Sequence, residues 1–229
     1  MDEVIETCVS LADAVTAYRN GDAAAFALFR DCAERGDAEA QAWMGALYAN
    51  GEGVPADLVQ ALDWYLLAAA GGHVPAQTNA GAMLMMGQGC SPDVAQGLHW
   101  LRKAAEAGDA MAQSNLATVY FKGLGGERDE SLALHWYRRA AEQGHFPSQA
   151  RLGFMYGNGL GVEKNRAEAF AWLSLAAQHG VGSALTALEG MLGQMSAEEK
   201  QKGAALFDRW RTRTAAVSSP ARLIPVPEP

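Results

Sequence analysis

A chain of 229 residues, 49% hydrophobic and 19% charged, has the makeup of a folded protein rather than a charge-rich disordered one. Its net charge of -8 argues against a nucleic-acid ligand, because neutralising phosphates takes clustered Lys and Arg. Neither the segment from Met1 to Glu6 nor any apolar run has the character of a secretory signal or a membrane span, so a soluble, cytoplasmic protein without membrane insertion is expected.

Residues 1–36 read as an N-terminal capping hairpin, with helices over 2–18 and 22–35 joined at Arg19, Asn20, Gly21 and Asp22. Phe26, Phe29 and Cys32 mark the seam of its second helix. Cys8, Cys32 and Cys90 are odd in number and lack any Cys-x-x-Cys spacing, which points to free thiols rather than a disulfide ladder or a zinc site.

From there the chain is periodic. Gly36, Gly72, Gly108, Gly144 and Gly180 fall 36 residues apart, defining four units over 37–72, 73–108, 109–144 and 145–180. Each unit opens with an amphipathic helix A, as in Ala40, Met44, Leu47 and Tyr48 or Ala112, Leu116, Val119 and Tyr120. A loop with two glycines follows: Gly51 and Gly53, Gly87 and Gly89, Gly123 and Gly125, Gly159 and Gly161. These are turns and not phosphate cradles, since no strand precedes them and no Lys-Ser/Thr pair follows.

Asp57, Asp93, Asp129 and Asn165 then stand where helix B needs an N-cap. Trp64, Trp100, Trp136 and Trp172 share a column of that helix, and the pairs Ala68/Ala69, Ala104/Ala105, Ala140/Ala141 and Ala176/Ala177 follow on the same face. Trp fills volume and Ala admits a neighbouring backbone, so this face reads as an interhelical seam. Residues 181–213 form a C-terminal partial repeat and capping helix, opened by the capping box from Ser196 to Glu199, and 214–229 read as a flexible Pro-rich tail. The expected fold class is all-α: a solenoid of antiparallel helix hairpins with about twelve helices.

The pattern Ala-x-x-x-Leu-Gly-x-x-Tyr-x-x-Gly-x-Gly-Val, followed by Asp, Ala, Trp and Ala-Ala-x-x-Gly, resembles the Sel1-like repeat, a relative of the tetratricopeptide repeat. Its clearest copy runs from Gln149 through Leu152, Tyr156, Gly159 and Val162 to Trp172, Ala176 and Ala177. The resemblance covers roughly residues 20–213. It implies a right-handed α/α superhelix serving as a non-catalytic adaptor or scaffold that binds a peptide or protein partner. One extracellular branch of the family is credited with β-lactam binding or hydrolysis, but it carries a cysteine pair in each repeat, and this chain has none.

In superhelices of this type helix A lines the concave groove. The helix A positions not used by the Leu, Gly and Tyr seam therefore give the candidate partner-binding residues: Asn79, Met86, Asn115, Thr118, Phe121, Lys122, Arg151 and Phe154. Trp43, Ala46, Asn50, Ala82 and Asn158 fall on the same expected face. A ladder of Asn, Asn and Arg beside apolar sockets suits a peptide backbone or carboxylate, although Phe121 and Phe154 also suit packing between repeats.

The second unit departs from the pattern, with Ala80 and Leu84 in place of Leu and Tyr and with Met83, Met85 and Met86 beside them, so looser packing is expected there. His99 and His135 read as repeat-derived packing beside the Trp column, and His73 and His145 as cap-region residues. No catalytic set, metal site or cofactor is expected, and the chain should be monomeric or weakly self-associating. The alternatives are a hydrolytic enzyme of β-lactamase-like or other activity on the same solenoid, and a self-assembling structural component. The polar final helix argues against the latter.

Overall fold

The computed structural model describes residues 9–217. Cys8, the expected helical start at 2–7 and the tail from 218 onward lie outside the described residues. Among the described residues there are twelve helices and no strand. The chain divides into two compact units, one through Lys103 and one from Ala104.

The first unit contains α1 (Leu11–Arg19), α2 (Ala25–Glu34), α3 (Ala38–Asn50), α4 (Leu58–Ala70), α5 (Val74–Met86) and most of α6 (Val94–Glu106). The second contains α7 (Ala110–Lys122), α8 (Glu130–Glu142), α9 (Phe146–Asn158), α10 (Arg166–Gln178), α11 (Gly182–Leu192) and α12 (Ala197–Val217). Helix α12 thus continues past Thr214, where the composition suggests a tail.

The Ala pair and the repeat glycine form one device. At the end of α4 the His73 N–H donates to the Ala68 carbonyl at 3.0 Å and the Gly72 N–H to the Ala69 carbonyl at 3.1 Å. This is a Schellman closure, and it requires the left-handed backbone that Gly72 adopts at φ +89°. A Cβ there would meet nothing within 4 Å, so backbone conformation and not space selects glycine. At Gly161 the reason differs, because a Cβ would stand 2.4 Å from the Glu130 carbonyl oxygen at the start of α8. The second loop glycine is where one repeat's loop meets the preceding helix B.

Each loop is also tied down by its capping residue. The Asp57 and Asn165 side chains accept from the first turns of α4 and α10. Their own N–H groups donate back to the Tyr48 and Tyr156 carbonyls at 2.9 Å, so one residue stops helix A's loop and starts helix B.

The cores of the two units are built alike. Trp64 and Trp100 are half-buried while Trp136 and Trp172 are buried, so the Trp column is unevenly covered. The following column, Tyr65, Leu101, Tyr137 and Leu173, is buried throughout. Tyr65, Leu101 and Leu173 lie against the helix A glycines Gly45, Gly81 and Gly153, where a Cβ would stand 2.6, 2.8 and 2.7 Å from their side chains; the third repeat has Ala117 in that column. In the first unit Trp43 is buried, stacked on Phe29 with centroids 4.9 Å apart and edge-on to Tyr18. It is core, not groove surface.

The expected looseness of α5 is absent. Ala80, Met83 and Leu84 are buried, and Met85 fills the space left by Gly97, whose Cβ would stand 2.4 Å from the Met85 side chain. In the second unit α12 lays Trp210 on Trp172 at 4.5 Å, closing the last helix B. Its capping box forms as expected, with Ser196 N–H to Glu199 at 2.7 Å and Glu199 N–H to Ser196 at 3.1 Å.

Candidate functional site

The eight candidate residues separate into those engaged by the fold and those left facing solvent. In the first unit Asn79 is exposed on α5 but hydrogen-bonds the Tyr65 hydroxyl, whose pKa burial pushes up to about 12. Met86, at the last turn of α5, is 62% exposed.

In the second unit Asn115 is half-buried on α7. The Thr118 hydroxyl donates to the Ser114 carbonyl at 2.9 Å and lies 2.8 Å from the Tyr137 hydroxyl. Since a carbonyl only accepts, the single Thr118 proton is spent there, and Tyr137 is the donor to Thr118. Phe121 is half-buried beneath the Arg128 guanidinium, 4.7 Å from its ring centroid, so the chain's own loop covers that socket. Lys122 is exposed at the end of α7.

Arg151 and Phe154 remain open. Both are exposed on α9 and line a hollow of about 270 Å³ with Pro147, Ala150, Leu173 and the α11 residues Ala184 and Ala187. A second hollow of about 270 Å³ lies on the other side of Phe154, walled by Gly153, Gly157 and Asn158 of α9, Ala187 and Gly190 of α11, and Lys164 and Arg166. Together they make a groove between α9 and α11 with Leu173 as its floor.

The sequence reading did not single out Lys164, Arg166, Ala184 or Ala187. Lys164 and Arg166 flank the Asn165 cap in a column that holds Ala56 and Leu58 in the first repeat, so their departure was visible. The α11 wall lies in the partial repeat, where the 36-residue register gives no guide.

A polar ladder was also missed. Gln41, Gln77, Gln113 and Gln149 are all buried, and each Nε2 donates to the carbonyl of Ala33, Ala69, Ala105 or Ala141 at 3.1 to 3.2 Å. These are the carbonyls that the repeat glycines also bond. Gln113 additionally accepts from Gln143 at 2.8 Å, whereas the Oε1 atoms of Gln77 and Gln149 have no partner.

His73 and His145 are the N-caps of α5 and α9, their Nδ1 atoms accepting from the Ala76 and Ser148 N–H groups at 3.1 and 3.3 Å. Burial lowers both pKa values, opposed by the Glu39 and Asp37 carboxylates at His73 and by Asp109 at His145. Asp37 and Asp109 occupy the same capping position in the alternate repeats. His99 and His135 are exposed, each edge-on to its neighbouring Trp. Among the described residues no three His, Cys, Asp or Glu side chains gather where a metal ion could be held, and no helix is long and apolar enough to cross a membrane.

The Sel1 repeat matches residues 38–73, 74–109, 110–145 and 147–181, together more than half of the chain. The chain belongs to the Sel1 repeat family. No curated protein matches this Sel1 chain in sequence. Among solved structures it is similar to a protective antigen of uropathogenic Escherichia coli strains that displays an SLR fold, with 29% identity and a TM-score of 0.75. That likeness covers 88% of this chain and 44% of the antigen, so the chain spans less than half of that relative's length. A Sel1 repeat protein from Oxalobacter formigenes is similar at 29% identity and a TM-score of 0.73, over 90% of this chain and 85% of that one. The fold class is therefore the all-α solenoid of the Sel1 repeat structures. Sel1 repeat proteins generally act as protein-interaction scaffolds.

Proposed function

We propose that this Sel1 chain is a non-catalytic scaffold that binds a peptide or protein partner through the exposed surface of its helices A, with the groove between α9 and α11 as the principal seat. The observation that carries this reading is Phe154. It is a large aromatic side chain, 43% exposed, standing between two hollows over an apolar floor with Arg151 beside it. An aromatic anchor next to a cation, on a rigid pair of packed helices, is what a peptide-binding hot spot needs. Within the second unit Asn115 and Lys122 extend the candidate surface, and in the first unit Met86 is a candidate by itself, while Asn79, Thr118 and Phe121 act first as supports for neighbouring side chains. A cytoplasmic location is part of this proposal.

The test is selection from a displayed random peptide library on the immobilised full chain, repeated on Arg151→Glu/Phe154→Ala. A peptide consensus on the wild type that disappears on the variant, with helicity unchanged, supports the reading. Absence of any enriched consensus overturns it.

A further inference from the structure

The α9–α11 groove is bordered on one side by Lys164 and Arg166. These two residues also line a larger cleft of about 670 Å³, whose remaining wall is Asn165 and Ala167 of the α10 start and Glu199, Lys202, Ala205, Leu206 and Arg209 of α12. The two hollows beside Phe154 share Phe154, Leu173 and Ala187, and the second hollow shares Lys164 and Arg166 with the cleft. The three therefore lie side by side at the end of the second unit, as a track joined by the side chains they share. Along it lie Arg151 at one mouth, an apolar stretch at Phe154 and Leu173, then Lys164 and Arg166, then Lys202 and Arg209.

We propose that this track binds an acidic peptide segment, seated by one apolar side chain beside Phe154 and held by carboxylates at Arg151, at Lys164 and Arg166, and at Lys202 and Arg209. The proposal rests on the scaffold reading above and names the chemistry of its partner. Charge selects the occupant. The whole chain carries -8, yet neither hollow of the groove is lined by a carboxylate, and the cleft has only Glu199.

Glu199 is already spent internally, accepting from the Ser196 N–H at 2.7 Å and from one Arg166 guanidinium nitrogen at 3.4 Å; that ion pair also engages Arg166, which meets a ligand through the other donors of its guanidinium. Lys202 pairs with Glu198 at 2.6 Å, but both side chains are well exposed, and such a surface pair yields readily to a better-placed carboxylate. The start of α10 opens on the same cleft and adds the partial positive charge of a helix N-terminus. The apolar floor argues for a peptide over a nucleic acid. Phosphate chains need an unbroken line of cations and stacking aromatics, whereas here one exposed Phe and the small residues Gly153, Ala184, Ala187 and Gly190 interrupt the charges. The chain's overall negative charge also repels a polyanion.

The experiment uses the full chain and the peptide selected by library display, synthesised with a fluorescent label and measured by anisotropy. The expected consensus carries Asp or Glu on both sides of one apolar residue, and its affinity falls by about tenfold or more between about 50 and 300 mM NaCl. Lys164→Glu/Lys202→Glu, at two exposed positions, should weaken binding at least about tenfold with unchanged helicity, and a peptide with its acids replaced by Lys should regain affinity for that variant. Lys164→Gln/Lys202→Gln should fall between the two.

A selected consensus without acidic residues, or an acidic one indifferent to both double variants, overturns the acidic track while leaving the scaffold reading in place. Failure to select any peptide overturns both. A single-stranded oligo-dT that displaces the peptide at equal or lower concentration overturns the peptide assignment in favour of nucleic acid.

Discussion

Equivalent positions near the two ends of the repeat array meet opposite fates. Trp43 and Arg151 share a column, as do Ala46 and Phe154. In the first unit Trp43 is folded inward onto Phe29 and Tyr18, and the neighbouring position is a small, half-buried Ala46. In the second unit Arg151 and Phe154 are both exposed and border open hollows. The same helix face thus closes its unit at one end and offers a seat at the other. The column fixes where a side chain starts, and the adjoining capping helices decide whether it is covered.

The largest expected effect breaks or confirms that contrast directly. Trp43→Ala should destabilise the protein by about 3–5 kcal/mol, the cost of emptying a buried aromatic site, while Phe154→Ala should cost less than about 1 kcal/mol. Urea denaturation measures both, and equal losses would mean that Phe154 is as much a core residue as Trp43. Next in size is the distinction between the glycines. Gly161→Ala forces a Cβ against the α8 backbone as well as a left-handed conformation and should cost about 3 kcal/mol; Gly72→Ala meets only the conformational cost of about 1 kcal/mol.

A smaller difference separates the buried glutamines. Gln113→Leu strips the Ala105 carbonyl and the Gln143 amide of a partner and should cost about 1–3 kcal/mol. Gln77→Leu also removes an unpartnered buried oxygen, so its loss should be smaller.

The smallest effect is one of pH. His145 caps α9 as the neutral base, and burial sets its folded pKa below the ordinary value of about 6.5. The unfolded chain therefore takes up the proton first. Stability should be level above about pH 7 and decline as pH falls through 6.5 toward the folded value, because protonation removes the acceptor that caps α9. His145→Asp, the residue found at positions 37 and 109, should remove its share of that decline; an identical profile in the variant would mean that other groups govern it.

The architecture was legible because backbone constraints repeat: the Schellman glycine, the loop cap and the seam alanines each recur at 36 residues for a reason that any one repeat displays. The Gln ladder recurs just as strictly at 41, 77, 113 and 149, yet a polar residue on an amphipathic helix reads as surface until its carbonyl partner is seen. The candidate site was legible only in part. Arg151 and Phe154 could be named from their columns, but Arg128 settling on Phe121, Tyr65 engaging Asn79 and the α11 wall of the groove are meetings between elements that no column encodes.

The Gln ladder also meters the protein's tolerance of change in length. Each Nε2 reaches back to a carbonyl eight residues earlier, across the turn that joins one repeat to the next. A residue inserted after the repeat glycine would carry the amide away from its carbonyl, leaving the buried amide without its acceptor and the carbonyl with its glycine N–H alone. The loop inside each hairpin bears no such tether from Gln, so a longer or shorter member of this array should differ there, and the turns between repeats should keep their length.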